Sequence, residues 1–171
     1  RALGKYRGKS PLVLAIPRGA VPMGRALADE LGGQFDVVLV RKLRAPFNPE
    51  FALGSIDESG WSYIADYAES AGGTAAYLEQ EKQAQLDAIK KRRAQYTPLR
   101  PPIDPAGRVV IVVDDGLATG ATMISALHAL RAREPSRLIC AVPVASREAV
   151  AKVGAFADDV VCLDVPEGFY A

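Results

Sequence analysis

The sequence predicts an α/β fold in which a central parallel sheet is covered by helices on both faces. Short runs of consecutive aliphatic residues are typical of strands that are buried on both sides, and segments with helical spacing separate them. At 171 residues, the chain is long enough for one ordinary domain and too short for two. We therefore expect a single domain, 1–171, with one hydrophobic core.

The first half of the chain alternates two strands with one helix before its pattern becomes irregular. PLVLAIP, at 11–17, is a β-rich run closed by a proline, and the helical pattern at 20–33 ends in two glycines. FDVVLVRK, at 35–42, is predicted to be a second strand. The next stretch, 43–67, is rich in Pro, Gly and Asn, which predicts a long loop or an irregular hairpin.

The second half begins with a strong helical pattern at 74–96, in which Tyr77, Leu78, Leu86 and Ile89 supply apolar positions among charged residues. A proline-rich segment ends it. The remaining elements are predicted as a strand at 108–113, a helix at about 121–132, a strand at 137–142, a helix at about 147–153 and a strand at 160–163.

The composition argues against several classes of protein. Lys plus Arg number 21 and Asp plus Glu number 20, so no global charge favours a nucleic acid, and the basic run at 90–93 is interpreted as a solvated helix face rather than a nucleic-acid contact. Cys140, Cys162 and His128 form no disulfide or zinc pattern, and we interpret His128 as a partly exposed helical residue. With no apolar stretch near the roughly 20 residues that span a bilayer, we expect a cytoplasmic protein without membrane contact.

The stretch VVIVVDDGLATGATM, at 109–123, places two carboxylates where a buried strand ends, followed by residues with little bulk. In doubly wound, Rossmann-like sheets, ligands bind outside the carboxyl ends of the strands. Bare backbone amides at a turn into a helix attract a phosphate, and adjacent carboxylates suit hydroxyl donors. A ribose 5-phosphate satisfies both requirements. The residues concerned are Asp114, Asp115, Gly116, Ala118, Thr119, Gly120, Ala121 and Thr122.

Two other interpretations of the acidic pair remain open. Asp115 is a residue type that commonly caps a helix, with Asp114 solvated beside it. The letters VVDD also occur in receiver domains of two-component signalling, although this chain lacks the later Asp and Lys spacing that such domains need.

Aliphatic residues followed by D-D-x-x-x-T-G-x-T resemble the motif with which type I phosphoribosyltransferases bind 5-phosphoribosyl 1-pyrophosphate (PRPP). The resemblance covers most of 11–165 and extends to a poorly characterised bacterial group of predicted phosphoribosyltransferases. It implies that Asp114 and Asp115 hold the ribose hydroxyls and that 118–122 hold the 5′-phosphate. IPRGAVP, at 16–22, is similar to the loop whose amides bind pyrophosphate, which implicates Arg18, Gly19 and Ala20.

The same resemblance predicts the catalytic parts. VRKL, at 40–43, is similar to an Arg-Lys pair that ends the second strand in adenine and orotate phosphoribosyltransferases, so Arg41 and Lys42 are candidates for stabilising the leaving pyrophosphate. A flexible lid is expected at about 44–60, with Glu50 as a candidate acid-base residue, beside a helical insertion at about 74–96 and a small hood. Asp57 and Glu58 are alternatives for the acid-base role.

The implied function is transfer of the 5-phosphoribosyl group from PRPP to a nitrogenous base, with release of pyrophosphate. Mg²⁺ is the expected cofactor, held by substrate oxygens rather than by a set of protein ligands. A nucleobase is the expected acceptor, Phe169 is either a stacking wall for it or apolar packing, and a homodimer is expected. The alternative is a regulator on the same fold that senses PRPP or a nucleotide without turnover.

Overall fold

Five parallel strands form the sheet that the aliphatic runs predict. The computed structural model describes residues 1–169. Along the chain its elements are β1 (Leu12–Ala15), α1 (Val21–Leu31), β2 (Gln34–Val37), β3 (Val40–Ala45), β4 (Asn48–Asp57), β5 (Ser62–Ile64), α2 (Ala75–Tyr96), β6 (Val109–Val113), α3 (Ala121–Arg131), β7 (Arg137–Val144), α4 (Arg147–Gly154) and β8 (Asp159–Asp164).

These elements divide into two compact units. The first unit comprises residues 1–38 and the chain from residue 102 onward, and the second comprises Leu39–Pro101. The first unit contains the parallel sheet, with strand order β2-β1-β6-β7-β8. The second contains a three-stranded sheet, β3-β4-β5, and α2. The expectation of a single domain stays a prediction.

The parallel sheet is in continuous register, and its central strands β1, β6 and β7 are largely buried. Leu12 of β1 pairs with Gln34 of β2 and with Val110 of β6. Every residue of β1 is buried whichever way its side chain points, because α1 packs on one face and α3 and α4 pack against β6, β7 and β8 on the other. The core on the α1 side contains Leu3, Tyr6, Val13, Ala15, Ala20, Ala28, Leu31, Ile111, Val113, Ile139 and Ala141.

Helices of the first unit begin shortly after the strands that precede them. α1 follows Ala20 and has a proline in its first turn, a position where the missing N–H costs nothing. α3 begins after Gly120, whose φ of 79° is the left-handed conformation that favours glycine. α4 is capped by Ser146, whose Oγ accepts a hydrogen bond of 3.0 Å from the amide of Ala149. These starts bring helix N-termini to the carboxyl end of the sheet.

The second unit is antiparallel. Val40 of β3 pairs with Asp57 of β4, and the register shifts on both sides of Arg44. α2 begins after Thr74, whose Oγ1 accepts the amide of Tyr77 at 3.2 Å, as the helix predicted at 74–96 requires. Although α2 has 22 residues, no helix within residues 1–169 is apolar enough over a sufficient length to cross a membrane.

Three sequence predictions need correction. FDVVLVRK is not one strand: β2 ends at Val37 and pairs with the parallel sheet, whereas β3 starts at Val40 and pairs with β4. The long-loop interpretation of 43–67 is wrong, because regular strands occupy much of it; an irregular hairpin is correct for β3 and β4. The basic run at 90–93 is not wholly solvated, since the Arg93 side chain is 11% exposed and pairs with Glu58.

Candidate functional site

The sheet has its switch point between β1 and β6. The chain leaves β1 toward β2 on one side, and it leaves β6 toward β7 on the other. Ala15 pairs with Val113 at the ends of the two strands, and the amide of Ile16 donates to the carbonyl of Val113 at 2.9 Å. The loops that follow β1 and β6 therefore start side by side and diverge, which creates a crevice of the kind that binds ligands in open α/β sheets.

The loop after β1 presents bare backbone at this crevice. Arg18 and Gly19 are exposed, and Ala20 is buried beneath them. The peptide bond between Pro17 and Arg18 is cis. Within residues 1–169, the backbone amides of Arg18, Gly19 and Ala20 donate to no protein group. They are consequently available to an anion, as the sequence predicts.

Gly19 lies against the acidic pair. A Cβ added at Gly19 would collide with the carboxylate of Asp115 and approach its Cγ to 2.8 Å. Glycine is therefore needed for close approach at this position. The contact brings together two segments, after β1 and after β6, that are far apart in the sequence.

The two aspartates have different environments. Asp114 is half-buried, its amide lies 3.4 Å from the carbonyl of Ala141, and its Oδ1 accepts the amide of Asp115 at 2.8 Å. Asp115 is exposed. Burial raises the pKa of Asp114 to about 6, and the neighbouring charge of Asp115 adds to the effect although the amide donor opposes it. Two carboxylates so placed would gain from ligand hydroxyls or from a cation.

Small residues after the acidic pair form an open turn into α3. Thr119 and Thr122 are both exposed, and Thr119 Oγ1 accepts the amide of Ala121 at 3.3 Å. In the described part of the chain, the amides of Ala118, Thr119 and Gly120 have no acceptor. Free amides and the positive end of a helix attract a phosphate. Asp115 does not cap α3, because Gly120 holds the N-cap position, so the capping interpretation is wrong.

The connection between β7 and α4 forms hydrogen bonds to this turn. Leu117 is buried, and its amide donates to the carbonyl of Val144 at 3.0 Å. Ser146 donates its hydroxyl to the carbonyl of Ala118 at 2.7 Å while capping α4. A Cβ at Gly116 would lie 3.3 Å from Val144 Cγ1, so the backbone there is also closely approached. The turn is therefore held in shape without the amides of Ala118, Thr119 and Gly120 being used.

Phe169 lines a pocket of about 430 Å³ next to the turn. Its Cζ would be 3.8 Å from a Cβ at Gly116. Both expectations for Phe169, a stacking wall or apolar packing, stay open; Tyr170 and Ala171, which complete the tail, lie outside the described residues. The pocket is lined by Ala118, Thr119, Ser146, Arg147, Glu148, Val165, Pro166, Glu167, Gly168 and Phe169.

In the second unit, the predicted Arg-Lys pair divides between different partners. Arg41 is half-buried, and its Nε donates to Gln85 Oε1 of α2 at 2.6 Å. Lys42 Nζ contacts Glu50 Oε2 at 3.1 Å and donates to the Glu50 carbonyl at 3.3 Å. Neighbouring residues of a strand point to opposite faces, so the two cations are not gathered on one face of β3.

The candidate acid-base residues of this unit all have partners. The Glu50 side chain is 90% exposed and pairs with Lys42. Asp57 is buried, and its Oδ1 accepts the Ser59 and Trp61 amides in the turn between β4 and β5. Glu58 forms a two-point pair with Arg93, with Arg93 Nε donating at 2.9 Å. Structural roles therefore account for Asp57 and Glu58, whereas Glu50 is left in contact with solvent.

Sequence reasoning missed Glu81, Gln85 and Ser146. Glu81 and Gln85 are buried in α2, where they hold arginines of β3. Their spacing of four residues puts them on one helix face, but nothing in the sequence indicates that this face is buried. Ser146 before Arg147 had a usable signal, because a serine just ahead of a helical pattern predicts a cap.

A doubly wound parallel sheet with an acidic strand end and an amide-lined turn at its switch point defines a class of proteins that bind phosphorylated sugars or nucleotides. Comparison with known families narrows the class. The sequence matches the family described as phosphoribosyl transferase domain over residues 1–168. The chain belongs to this family, as the resemblance of residues 109–123 predicts.

Two relatives are similar to nearly the whole of this chain. The chain is 46% identical to TT1426 of Thermus thermophilus, a solved structure, with a TM-score of 0.87 over 99% of this chain and 81% of that one. It is 38% identical over 172 residues to the Mycobacterium tuberculosis H37Rv protein named "Putative phosphoribosyl transferase Rv0571c", and the match covers 99% of this chain. The chain spans 38% of the length of that relative.

A more distant structure shares the fold alone. A hypoxanthine-guanine phosphoribosyltransferase from Bacillus anthracis aligns with 96% of this chain and 72% of its own, at a TM-score of 0.52 and 13% identity. The predicted fold class is therefore confirmed, with a five-stranded parallel sheet and helices on both of its faces.

Proposed function

We propose that this chain transfers the 5-phosphoribosyl group from PRPP to a nitrogenous base and releases pyrophosphate. The observation that carries the proposal is the meeting of two loops at the switch point of the parallel sheet, where Gly19 lies against Asp115. In the described part of the chain, one loop offers three amides that have no acceptor, and the other offers two carboxylates followed by an open turn into α3. A ligand with phosphate groups at both ends and hydroxyls in the middle matches this arrangement.

Each segment of the crevice has a proposed part in binding. Residues 118–122 bind the 5′-phosphate through the amides of Ala118, Thr119 and Gly120 and the hydroxyls of Thr119 and Thr122. Asp114 and Asp115 accept hydrogen bonds from the ribose hydroxyls, which takes the place of the hydration that Asp114 loses on burial. The amides of 18–20 bind the pyrophosphate, and the exposed Arg18 adds a charge-assisted contact.

Mg²⁺ fits this site through the substrate. Within residues 1–169, no group of three or more His, Cys, Asp or Glu side chains is arranged to hold a metal. Ribose and pyrophosphate oxygens would form an all-oxygen donor set of the kind that Mg²⁺ prefers, with the two carboxylates nearby. When bound, the ion would neutralise negative charge on the pyrophosphate. Burial raises the pKa of Asp114 because it disfavours the ionised carboxylate. A cation nearby would stabilise that ionised form.

Catalysis depends on charge that grows as the bond to pyrophosphate breaks. The ribose carbon becomes oxocarbenium-like, as in glycoside hydrolysis, and the leaving group gains negative charge. Groups that act in this state raise turnover more than affinity. Arg41 and Lys42 are proposed to stabilise the leaving pyrophosphate. Glu50, which pairs with Lys42, is proposed as the acid-base residue.

The lid at about 44–60 is proposed to exclude water during the reaction, which would suppress hydrolysis of PRPP. This segment contains β4 and part of β3, so it would move as a hairpin rather than as an irregular loop. Arg44 and the exposed Phe47 and Phe51 lie along it.

Calorimetric titration with PRPP, with and without Mg²⁺, tests the proposal without knowledge of the acceptor. We expect Mg²⁺-assisted binding in the low micromolar range, of order −8 kcal/mol. A double substitution, Asp114→Asn with Asp115→Asn, should abolish binding and leave the circular dichroism spectrum unchanged. If that variant binds PRPP with undiminished affinity, the assignment of Asp114 and Asp115 to the site is wrong. If the unmodified chain does not bind PRPP, the proposed function is wrong.

Turnover separates the enzyme from a PRPP-sensing regulator. With PRPP and Mg²⁺ present, the chain should release pyrophosphate when the correct base is added from a panel of purines, pyrimidines and related heterocycles. If the chain binds PRPP tightly but releases no pyrophosphate with any base of the panel, the regulator is favoured.

A further inference from the structure

α2 buries an unusual line of side chains. Its buried residues are Glu81, Gln85 and Ile89, which follow one another at intervals of four. A helix packed against a sheet ordinarily buries an apolar stripe. Buried polar groups gain little over well-packed apolar residues of similar size, even when they are fully paired. Stability alone therefore does not explain why two of the three positions are polar.

Hydrogen bonds connect this line to two arginines of β3. Glu81 Oε1 accepts from the Arg44 amide at 3.0 Å and from Arg44 Nε at 2.8 Å. The same oxygen accepts from Gln85 Nε2 at 2.9 Å. Gln85 Oε1 then accepts from Arg41 Nε at 2.6 Å. Glu81 fixes the orientation of the Gln85 amide, and that amide fixes the Arg41 guanidinium.

The two arginines use their donors differently. Arg44 commits Nε and Nη2 to Glu81, and its own backbone carbonyl is bound by the Tyr77 hydroxyl at 2.6 Å. Arg41 commits Nε alone, and within residues 1–169 its Nη1 and Nη2 groups have no partner. A guanidinium carries five N–H donors in a rigid fork. Arg41 therefore presents a fixed pair of nitrogens to a ligand, whereas Arg44 is largely used within the fold.

We propose that Gln85, held by Glu81, is a positioning residue that orients Arg41 to bind the pyrophosphate leaving group. The inference rests on the proposed function, since that reaction supplies pyrophosphate. It explains the polar line as a device for holding one guanidinium in one orientation, which lowers the entropy that Arg41 loses when it binds an anion. The network lies wholly within the second unit.

Inorganic pyrophosphate with Mg²⁺ is the probe, and PRPP is the comparison ligand. Gln85→Leu removes the acceptor for Arg41 Nε while keeping a side chain of similar size. Affinity for pyrophosphate should fall about tenfold, as for a lost hydrogen bond to a charged group. Affinity for PRPP should fall by less than about threefold, because the charge on the leaving group is complete only after the bond breaks. An equal loss for both ligands would contradict the proposal.

A matched control is available on the same helix. Gln83 is exposed, and its Nε2 donates to Asp87 at 3.0 Å rather than to β3. Gln83→Leu makes the same chemical change on the other side of α2 and should leave both affinities unchanged. A tenfold loss in this variant would mean that any change in α2 has the effect, which would overturn the specific role of Gln85.

A double-mutant cycle separates positioning from a general structural effect. If Gln85 acts through Arg41, the variant carrying both Gln85→Leu and Arg41→Ala should bind pyrophosphate no worse than Arg41→Ala alone. Losses that multiply would show that the two residues act independently. If Gln85→Leu fails to fold, Arg41→Lys decides: lysine keeps the charge but has no Nε–H for Gln85, so a loss of about tenfold is expected. Wild-type affinity in Arg41→Lys would overturn the proposal.

The inference and the proposed function fail in different ways. If the unmodified chain binds neither PRPP nor pyrophosphate, the proposed function fails and the inference fails with it. If the unmodified chain binds both and Gln85→Leu binds pyrophosphate equally well, the inference alone is overturned.

Discussion

Replacing Asp114 by Asn should stabilise the fold at neutral pH and, at the same time, impair PRPP binding. Asp114 is half-buried at the end of β6, and burial, followed by the charge of Asp115, raises its pKa to about 6. The folded chain therefore disfavours the ionised carboxylate. Asparagine is neutral and nearly the same shape, and its Oδ1 can still accept the amide hydrogen bond from Asp115 that the structure shows.

The pKa shift sets the size of the effect. A rise from 3.8 to about 6 corresponds to about 3 kcal/mol at 1.36 kcal/mol for each pKa unit. Because the side chain keeps some contact with water, screening reduces this to about 1 to 2 kcal/mol. Between pH 3.8 and about 6 the folded state binds more protons than the unfolded state, so stability falls as the pH rises through that window. The gain from Asp114→Asn should thus be complete at about pH 8 and absent at about pH 3.5.

Urea unfolding at about pH 8 and about pH 3.5, on either side of this window, together with calorimetry with PRPP, measures both effects. Asp115→Asn is the matched control: it removes an exposed carboxylate and should stabilise the fold less, because burial is the larger cause of the Asp114 shift. A gain that is equal at both pH values would refute the reasoning, as would no gain at the higher pH. Stabilisation with loss of binding would mean that the site holds a strained charge for its ligand.

Three further substitutions test separate contacts. Gly19→Ala should fold but bind PRPP about tenfold more weakly, since a Cβ would displace the carboxylate of Asp115. Gly154→Ala, where a Cβ meets nothing, is the calorimetric control. Equal PRPP affinities for the two variants would contradict the assignment of Gly19 to the site. Arg93→Ala should cost about 2 to 3 kcal/mol in urea unfolding, because it leaves the half-buried Glu58 unpaired; a loss below about 0.5 kcal/mol would mean that the pair behaves as a surface one. Ser146→Ala should cost about 1 kcal/mol as a lost cap and also reduce PRPP affinity, because the same hydroxyl holds the turn that is proposed to bind the 5′-phosphate; a change in melting temperature without a change in affinity would show that the turn keeps its shape unaided.

The features that the sequence predicted well depend on local chemistry. Aliphatic runs located the five parallel strands, and they match β1, β6 and β7 best, since a strand buried on both faces must be apolar at nearly every position. The edge strand β2 has the sequence QFDV and includes the buried Asp36. The strand-end position of Asp114 and Asp115 followed from where β6 runs out of aliphatic residues. The open turn at 116–122 was predictable because backbone amides can reach an anion only where several consecutive side chains are small.

The features that it missed depend on how segments meet. VVLV in FDVVLVRK is apolar without interruption, so periodicity gave no sign that the chain leaves one sheet at Val37 and enters another at Val40. In α2, the apolar letters drew attention to Tyr77 and Leu78, whereas the deeply buried positions include Glu81 and Gln85. The sequence does not distinguish a buried polar residue from a solvated one, because burial depends on the residues that pack against it in the fold.

Opposite strand faces separate the Arg-Lys pair of β3. Adjacent residues in an extended strand point in opposite directions, and the partners agree: Arg41 faces Gln85 of α2, while Lys42 contacts Glu50 of β4. Two cations on opposite faces of β3 cannot close on one phosphate oxygen without distorting the strand. Arg41, which is half-buried and oriented, suits a fixed two-point contact with pyrophosphate. Lys42, whose partner is 90% exposed, can exchange that weak surface pair for a ligand at little cost, so we expect the two residues to contact different oxygens of the leaving pyrophosphate.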